Sequence, residues 1–259
     1  MAMELLGYTI SDMGVEADIE YAFNYIAEKA RCKYMACANP HSLVVAAGDR
    51  QFENALKDAD ILVPDGSGIV WAARFLHQRV LQKVAGFDFF YHFCKLADHK
   101  KNIRFFFLGS SEHVLNLIKN RLDNEFPKIN VCGTYSPPFR DRFTDQENQK
   151  MIDAVNRARP DVLWVGMTAP KQEKWIWSNR KFLDVPFAAA IGAVFDFYAG
   201  TKKRSSEIWI KLGLEWLPRF LKEPKRLWER NLKSTPIFLW WIFKEKLRLN
   251  RKIKDTSYI

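Results

Sequence analysis

Cysteine is scarce in this chain: four in 259 residues (Cys32, Cys37, Cys94, Cys132), none in a CxxC pair and none clustered with the five histidines. That pattern argues against a disulfide framework and against a Cys/His zinc site, and it fits the reduced thiols of a cytoplasmic protein. Long apolar runs are missing too. The longest, residues 236–243 (PIFLWWIF), falls far short of the roughly 20 residues that cross a bilayer as a helix. It can lie on a membrane but not span one. The opening residues have no basic stretch followed by an apolar one, so no secretory signal is expected. Internal repeats and low-complexity linkers are also absent.

What is present is enough apolar sequence, 48% of residues, to bury a substantial core. The net charge of +10 is unevenly spread: residues 201–259 hold 16 Lys/Arg against 6 Asp/Glu, and residues 1–200 hold 24 of each. The body is neutral and the tail carries the surplus, which marks the tail for a polyanionic partner.

Apolar runs at 33–38, 60–64, 103–109, 129–134, 161–166 and 187–192 read as buried strands, with helical patterns between them, the first over 15–30. Such alternation predicts a Rossmann-like α/β body over residues 1–200, a parallel sheet with helices on both faces. After Gly200 the texture changes to helices punctuated by Pro218, Pro224 and Pro236, with five of the nine tryptophans interleaved among basic residues. Residues 201–259 are therefore expected to form a basic, helical appendage. Trp240, Trp241, Lys244, Lys246 and Arg248 have the composition of a segment lying on an anionic membrane. The plainer alternative is that the aromatics pack onto the body and the charges face water.

Candidate chemistry sits at strand ends, where open α/β sheets place ligands. Asp65 follows the strand 60–64 and opens Gly66-Ser67-Gly68; Trp71 stands where a dinucleotide fingerprint would need its third glycine, so a bound NAD is not expected. Asp65 is a candidate catalytic carboxylate, or else the N-cap of the helix that follows. Cys37 and Asn39 close another strand, the Asn39 amide being suited to a sugar hydroxyl or to capping the helix begun by Pro40. Gly109-Ser110-Ser111 forms a turn suited to phosphate or ribose, or an ordinary capped helix. After Gly166, Pro170 is expected at the first helical position with Lys171, Gln172 and Glu173 in the first turn, where Glu173 would complement the helix dipole. The pair Asp58-Ala59-Asp60 has the DxD form used to hold metal on UDP, but it precedes its strand, so no metal is expected. No cofactor is expected either.

Taken together, residues 59–66, 160–166 with 170–175, 192–200 with Lys203-Arg204, 213–219 and 223–228 resemble the WecG/TagA/CpsF family of bacterial glycosyltransferases through nearly the whole chain. The resemblance implies an inverting, metal-independent transfer of an N-acetylmannosamine-type sugar from a UDP-sugar to a saccharide on polyprenyl diphosphate, in cell-wall or surface polysaccharide synthesis. It implies a protein peripheral on the inner face of the cell membrane, alone or as a homo-oligomer. Asp65 would be the general base, and Cys37, Asn39, Gly66, Gly109, Ser110, Gly166, Gln172, Glu173, Asp196, Arg204, Arg219 and Arg226 would line the substrates, the arginines gripping diphosphate. Two positions depart from the family's pattern: Cys37 stands where Thr is usual, and residues 166–173 read GMTAPKQE rather than Gly-x-Gly-x-Pro-x-Gln-Glu. A nucleic-acid-binding protein would explain the tail but neither Asp65 nor Gln172, so nucleic acid is not expected as a partner. A non-catalytic membrane scaffold would bind no UDP.

Overall fold

A computed structural model describes residues 2–100, 102–203, 209 and 233–256, with side chains to residue 251 in the last stretch. The chain opens with an antiparallel hairpin, β1 (Ala2–Leu5) and β2 (Tyr8–Ser11), joined through Leu6 and Gly7. Both joining residues have positive φ, 53° and 80°, the geometry of the two-residue turn that matches strand twist. Then follow α1 (Val15–Ala27), β3 (Lys33–Ala38), α2 (Pro40–Ala46), α3 (Arg50–Lys57), β4 (Ile61–Pro64), α4 (Ser67–His77), α5 (Gly86–Lys100) and β5 (Arg104–Gly109). The remainder is α6 (Glu112–Glu125), β6 (Asn130–Tyr135), α7 (Asp145–Ala158), β7 (Val162–Gly166), α8 (Lys171–Asn179), β8 (Phe187–Ala190), α9 (Val194–Tyr198) and a C-terminal helix, α10 (Ser234–Thr256).

The six central strands form one sheet in the order β4-β3-β8-β7-β5-β6, parallel at every pairing. All six are the strands expected from sequence, shifted by a residue or so at their ends. Parallel strands need crossovers, and the intervening helices cover both faces. Period-two alternation splits the core accordingly. Phe105, Phe107, Trp164 and Phe187 face α1, α5, α6 and α9, while Phe106, Leu108, Leu163 and Ala188 face α2, α4, α7 and α8. The first face is an aromatic layer in which Phe90 and Phe93 meet Trp164 edge-on at 4.9 and 5.1 Å.

α10 joins the second face. Phe238 and Ile242, four residues apart on one side of the helix, are completely buried against α2 and α4. Ser234 at its start meets His41 of α2, Oγ to Nδ1 2.8 Å. The hairpin was not anticipated: Leu-Gly lacks the usual Asn-Gly or Asp-Gly turn signal, and four-residue strands carry little periodicity.

Candidate functional site

The C-terminal ends of the parallel strands form one edge, and the sequence-predicted residues are distributed along it. At one end, β3 and β4 are neighbours. Asn39 N-caps α2 through a capping box, its Oδ1 accepting from Ser42 N–H at 2.9 Å while its own N–H donates to Ser42 Oγ at 2.8 Å. That leaves the amide nitrogen, which donates to Asp65 Oδ2 at 3.4 Å. The Asp65 backbone N–H is anchored on Ala38 carbonyl at 2.8 Å. The N-cap of α4 is Gly66, at φ 92°, so Asp65 stands one position before the cap. Its carboxylate is turned toward Asn39.

In the middle of the edge, β7 runs through Thr168 and a cis Ala169–Pro170 peptide into α8. Pro170 is the N-cap and not the first helical residue, a one-position correction that keeps Lys171, Gln172 and Glu173 in the first turn. Gln172 Oε1 accepts from Met167 N–H at 3.3 Å and its Nε2 donates to Glu173 Oε1 at 2.8 Å. Gly192, just past β8, packs on the same amide: a Cβ there would lie 3.4 Å from it. Glu173 is a first-turn acid of α8, as expected, but a buried one. It is 2% exposed, and its Oε2 meets no hydrogen-bond donor among the described residues. Burial raises its pKa to about 7, with the Gln172 hydrogen bond opposing. Burial pushes the Cys37 thiol well up, and Asp65 and Glu173 push it the same way.

At the far end, Ser110 (φ 55°) donates its N–H to Gly166 carbonyl at 3.1 Å, and its carbonyl accepts from Ser136 Oγ at 2.8 Å. The cap of α6 is Ser111. Gly109 and Gly166 have a packing reason to be glycine: a Cβ on Gly109 would overlap the Gly166 backbone, and one on Gly166 would come within 2.6 Å of the Phe195 ring. Asp196 pairs with Lys202 at 2.7 Å and accepts from Thr201 Oγ1 at 3.4 Å. Strand spacing puts β4 and β5 roughly 19 Å apart across four steps, so Asp65 and Ser110 mark the two ends of an elongated edge. Arg204, Arg219 and Arg226 lie outside the described residues.

On α10 the five sequence-predicted membrane residues divide between sides. Trp240 is exposed, stacked with Phe243 at 6.2 Å and topped by Lys244 at 5.2 Å. Trp241 and Arg248 line a cleft toward Leu6, Tyr8 and Leu43, with Arg248 paired to Glu245 at 2.9 Å. Lys246 reaches α4. Among the described residues no helix is long and apolar enough to cross a membrane.

The DxD pair sits at the opposite edge of the sheet. Asp60 accepts from Lys33 Nζ at 2.9 Å and Tyr34 N–H at 3.0 Å, and Asp58 accepts from Trp177 Nε1 at 2.8 Å. Among the described residues no group of three or more His, Cys, Asp or Glu could hold a metal ion. Two residues at the edge were missed from sequence. Gly192 and Gly86 back onto Gln172 and Cys37 respectively; Gly192 opened one of the blocks that carry the resemblance without being assigned a role, and the signal for Gly86 was a glycine at a helix start.

With this geometry in place, comparison with known proteins gives a consistent picture. The family model described as glycosyl transferase WecG/TagA/CpsF matches residues 3–252. Three relatives carry the name N-acetylglucosaminyldiphosphoundecaprenol N-acetyl-beta-D-mannosaminyltransferase. The protein of Bacillus subtilis (strain 168) is 28% identical over 93% of this chain and 88% of its own length. That of Bacillus spizizenii is 30% identical over 86% of each chain. That of Staphylococcus aureus (strain MW2) is 29% identical over 86% of this chain and 83% of its own.

Proposed function

Because this chain belongs to the WecG/TagA/CpsF family of glycosyltransferases, we propose that it moves an N-acetylmannosamine-type sugar from a UDP-sugar to a saccharide carried on polyprenyl diphosphate, in cell-wall or surface polysaccharide synthesis. The observation that carries the site assignment is the Asn39–Asp65 contact between adjacent strand ends, at the edge where parallel sheets receive ligands. The names of the relatives support the acceptor class.

In this reading Asp65 is the general base. The acceptor hydroxyl oxygen attacks the anomeric carbon and forms the new glycosidic bond as the bond from that carbon to UDP breaks. The proton passes to Asp65, the electron pair leaves with UDP, and the configuration inverts. Asn39 orients the Asp65 carboxylate through its spare N–H. Gln172 and Glu173 act one layer behind: both are buried, so their part is to fix the floor between Met167 and Gly192. The length of the edge from Asp65 to Ser110 suits an elongated donor better than a monosaccharide. Cys37, Gly66, Gly109, Ser110, Gly166 and Asp196 would line it, with Arg204, Arg219 and Arg226 neutralising the diphosphate. The protein would work peripherally at the inner face of the membrane, where its acceptor is held.

The test is incubation with a short-chain polyprenyl diphosphate N-acetylglucosamine acceptor and a panel of UDP-sugars, read by product mass. A gain of one N-acetylhexosamine with UDP-N-acetylmannosamine is expected; no transfer from any donor would overturn the reading.

A further inference from the structure

Most large apolar side chains here are buried, but α4 exposes two next to one another. Trp71 and Phe75 are 46% and 37% exposed and stack at 5.1 Å with rings 10° from parallel. No core function explains them, since the buried side of α4 is supplied by Ile69, Ala72, Ala73 and Leu76. One residue joins them to α10. Lys246 donates to Leu76 carbonyl at 3.4 Å and holds its ammonium 5.5 Å from the Phe75 ring. Phe243 lies three residues before Lys246 and so shares its side of the helix. Phe243 is half exposed and stacks with Trp240. Lys246 thus links the aromatic pair of α4 to the side of α10 that carries Phe243.

Its charge identifies the occupant. Exposed Arg74 on α4 and Lys244 on α10 stand with Lys246 beside these rings, and among the described residues no acidic side chain is paired with any of the three. Aromatic rings among cations are the chemistry of a bilayer interface carrying anionic headgroups. A second copy of this chain would bring the same cations against themselves.

We propose that Trp71 and Phe75 of α4 form, with Phe243 and Trp240 of α10, a single docking surface for an anionic bilayer. Membrane contact is then made by the catalytic body as well as by the tail. The proposal rests on the lipid-linked acceptor reading and sharpens it. α4 begins directly after Asp65-Gly66, and five helical steps from Gly66 to Trp71 cover only about 8 Å along the axis. Docking through Trp71 would hold Asp65 close to the headgroups, at the depth where a diphosphate-linked sugar emerges.

The experiment is sedimentation of the full chain with vesicles of phosphatidylcholine and phosphatidylglycerol, comparing wild type with Trp71→Ser/Phe75→Ser. Each side chain is less than half exposed, so thermal unfolding is followed on the same samples, and vesicle binding is compared well below the melting temperature of the variant. The variant is expected to bind about tenfold more weakly or worse, given the aromatic area withdrawn from the interface. Phe243→Ser, at the other end of the surface, is expected to weaken binding similarly. Wild-type affinity in both variants would overturn the proposal, as would unchanged vesicle binding accompanied by a loss of self-association in light scattering, which would assign the surface to a second copy. Wild-type transfer to a short-chain soluble acceptor is measured alongside. Its absence would count against the enzyme reading alone and leave the vesicle data to judge the surface.

Discussion

The side-chain amide of Asn39 donates to the Asp65 carboxylate from one strand end to the next, at 3.4 Å, while its oxygen caps α2. The two roles use different atoms of one side chain, so substitutions can separate them. Asn39→Ala removes both and is expected to cost about 1 kcal/mol of stability, a shift of about 2–4 °C in melting temperature, and to lower transfer at least roughly tenfold as Asp65 loses its orientation. Asn39→Ser restores a good cap but no amide donor. Calorimetry should recover with Ser and transfer should not; recovery of both would assign Asn39 to capping alone.

Glu173 titrates far from its ordinary value. Its pKa rises from 4.5 to about 7 because it is buried. Between those values the folded protein holds a proton that the unfolded chain has released, so stability falls as pH rises from about 4.5 to 7, by about 3 kcal/mol at most. Asp18, raised by burial from 3.8 to about 6, adds a slope of the same sign over its own window. Glu173→Gln keeps a neutral, similarly shaped group and should remove the Glu173 share. Denaturant melts from pH 4 to 8 check this: an unaltered slope in the variant would contradict the burial assigned to Glu173.

Gly109→Ala tests the close approach of β5 and β7. The position has φ 125° and its Cβ would overlap the Gly166 backbone, which cannot move aside as a flexible side chain can. A loss of more than about 2 kcal/mol is expected in denaturant unfolding. Gly7→Ala makes the contrast: it shares the positive φ but meets nothing within 4 Å, and should cost less.

Phe238→Ala tests the seating of α10. With Ile242, Phe238 is fully buried against α2 and α4, and its truncation is expected to cost about 3–5 kcal/mol if the helix is part of the cooperative unit. Limited proteolysis should then cut near residue 233 far faster than in wild type. Unchanged cleavage would show that the helix contributes little to the fold.

The strands were legible because parallel strands buried on both faces are continuous apolar runs, such as RFFFLG and VLWVG. Strand-end chemistry was legible as position but less so as role. Asp65 looked like a helix cap because the residues after it are helical, yet Gly66 takes that place. Glu173 looked like a first-turn acid complementing the helix dipole; that it is buried depends on how α8 packs on the body, which no local pattern encodes. Gly109 read as part of a phosphate or ribose turn or of an ordinary helix start; that its Cβ would overlap the Gly166 backbone depends on the meeting of non-local segments. The Trp71–Phe75 stack was visible only as a failed glycine motif, since its exposure depends on how α4 sits against α10.

The most direct test of the account is the rate at which Asp65→Asn transfers sugar to the short-chain polyprenyl diphosphate acceptor, with melting temperature measured on the same sample. Loss of the general base predicts a fall of about a hundredfold or more with the fold intact. Transfer near the wild-type rate would contradict the assignment of Asp65, and with it the mechanism.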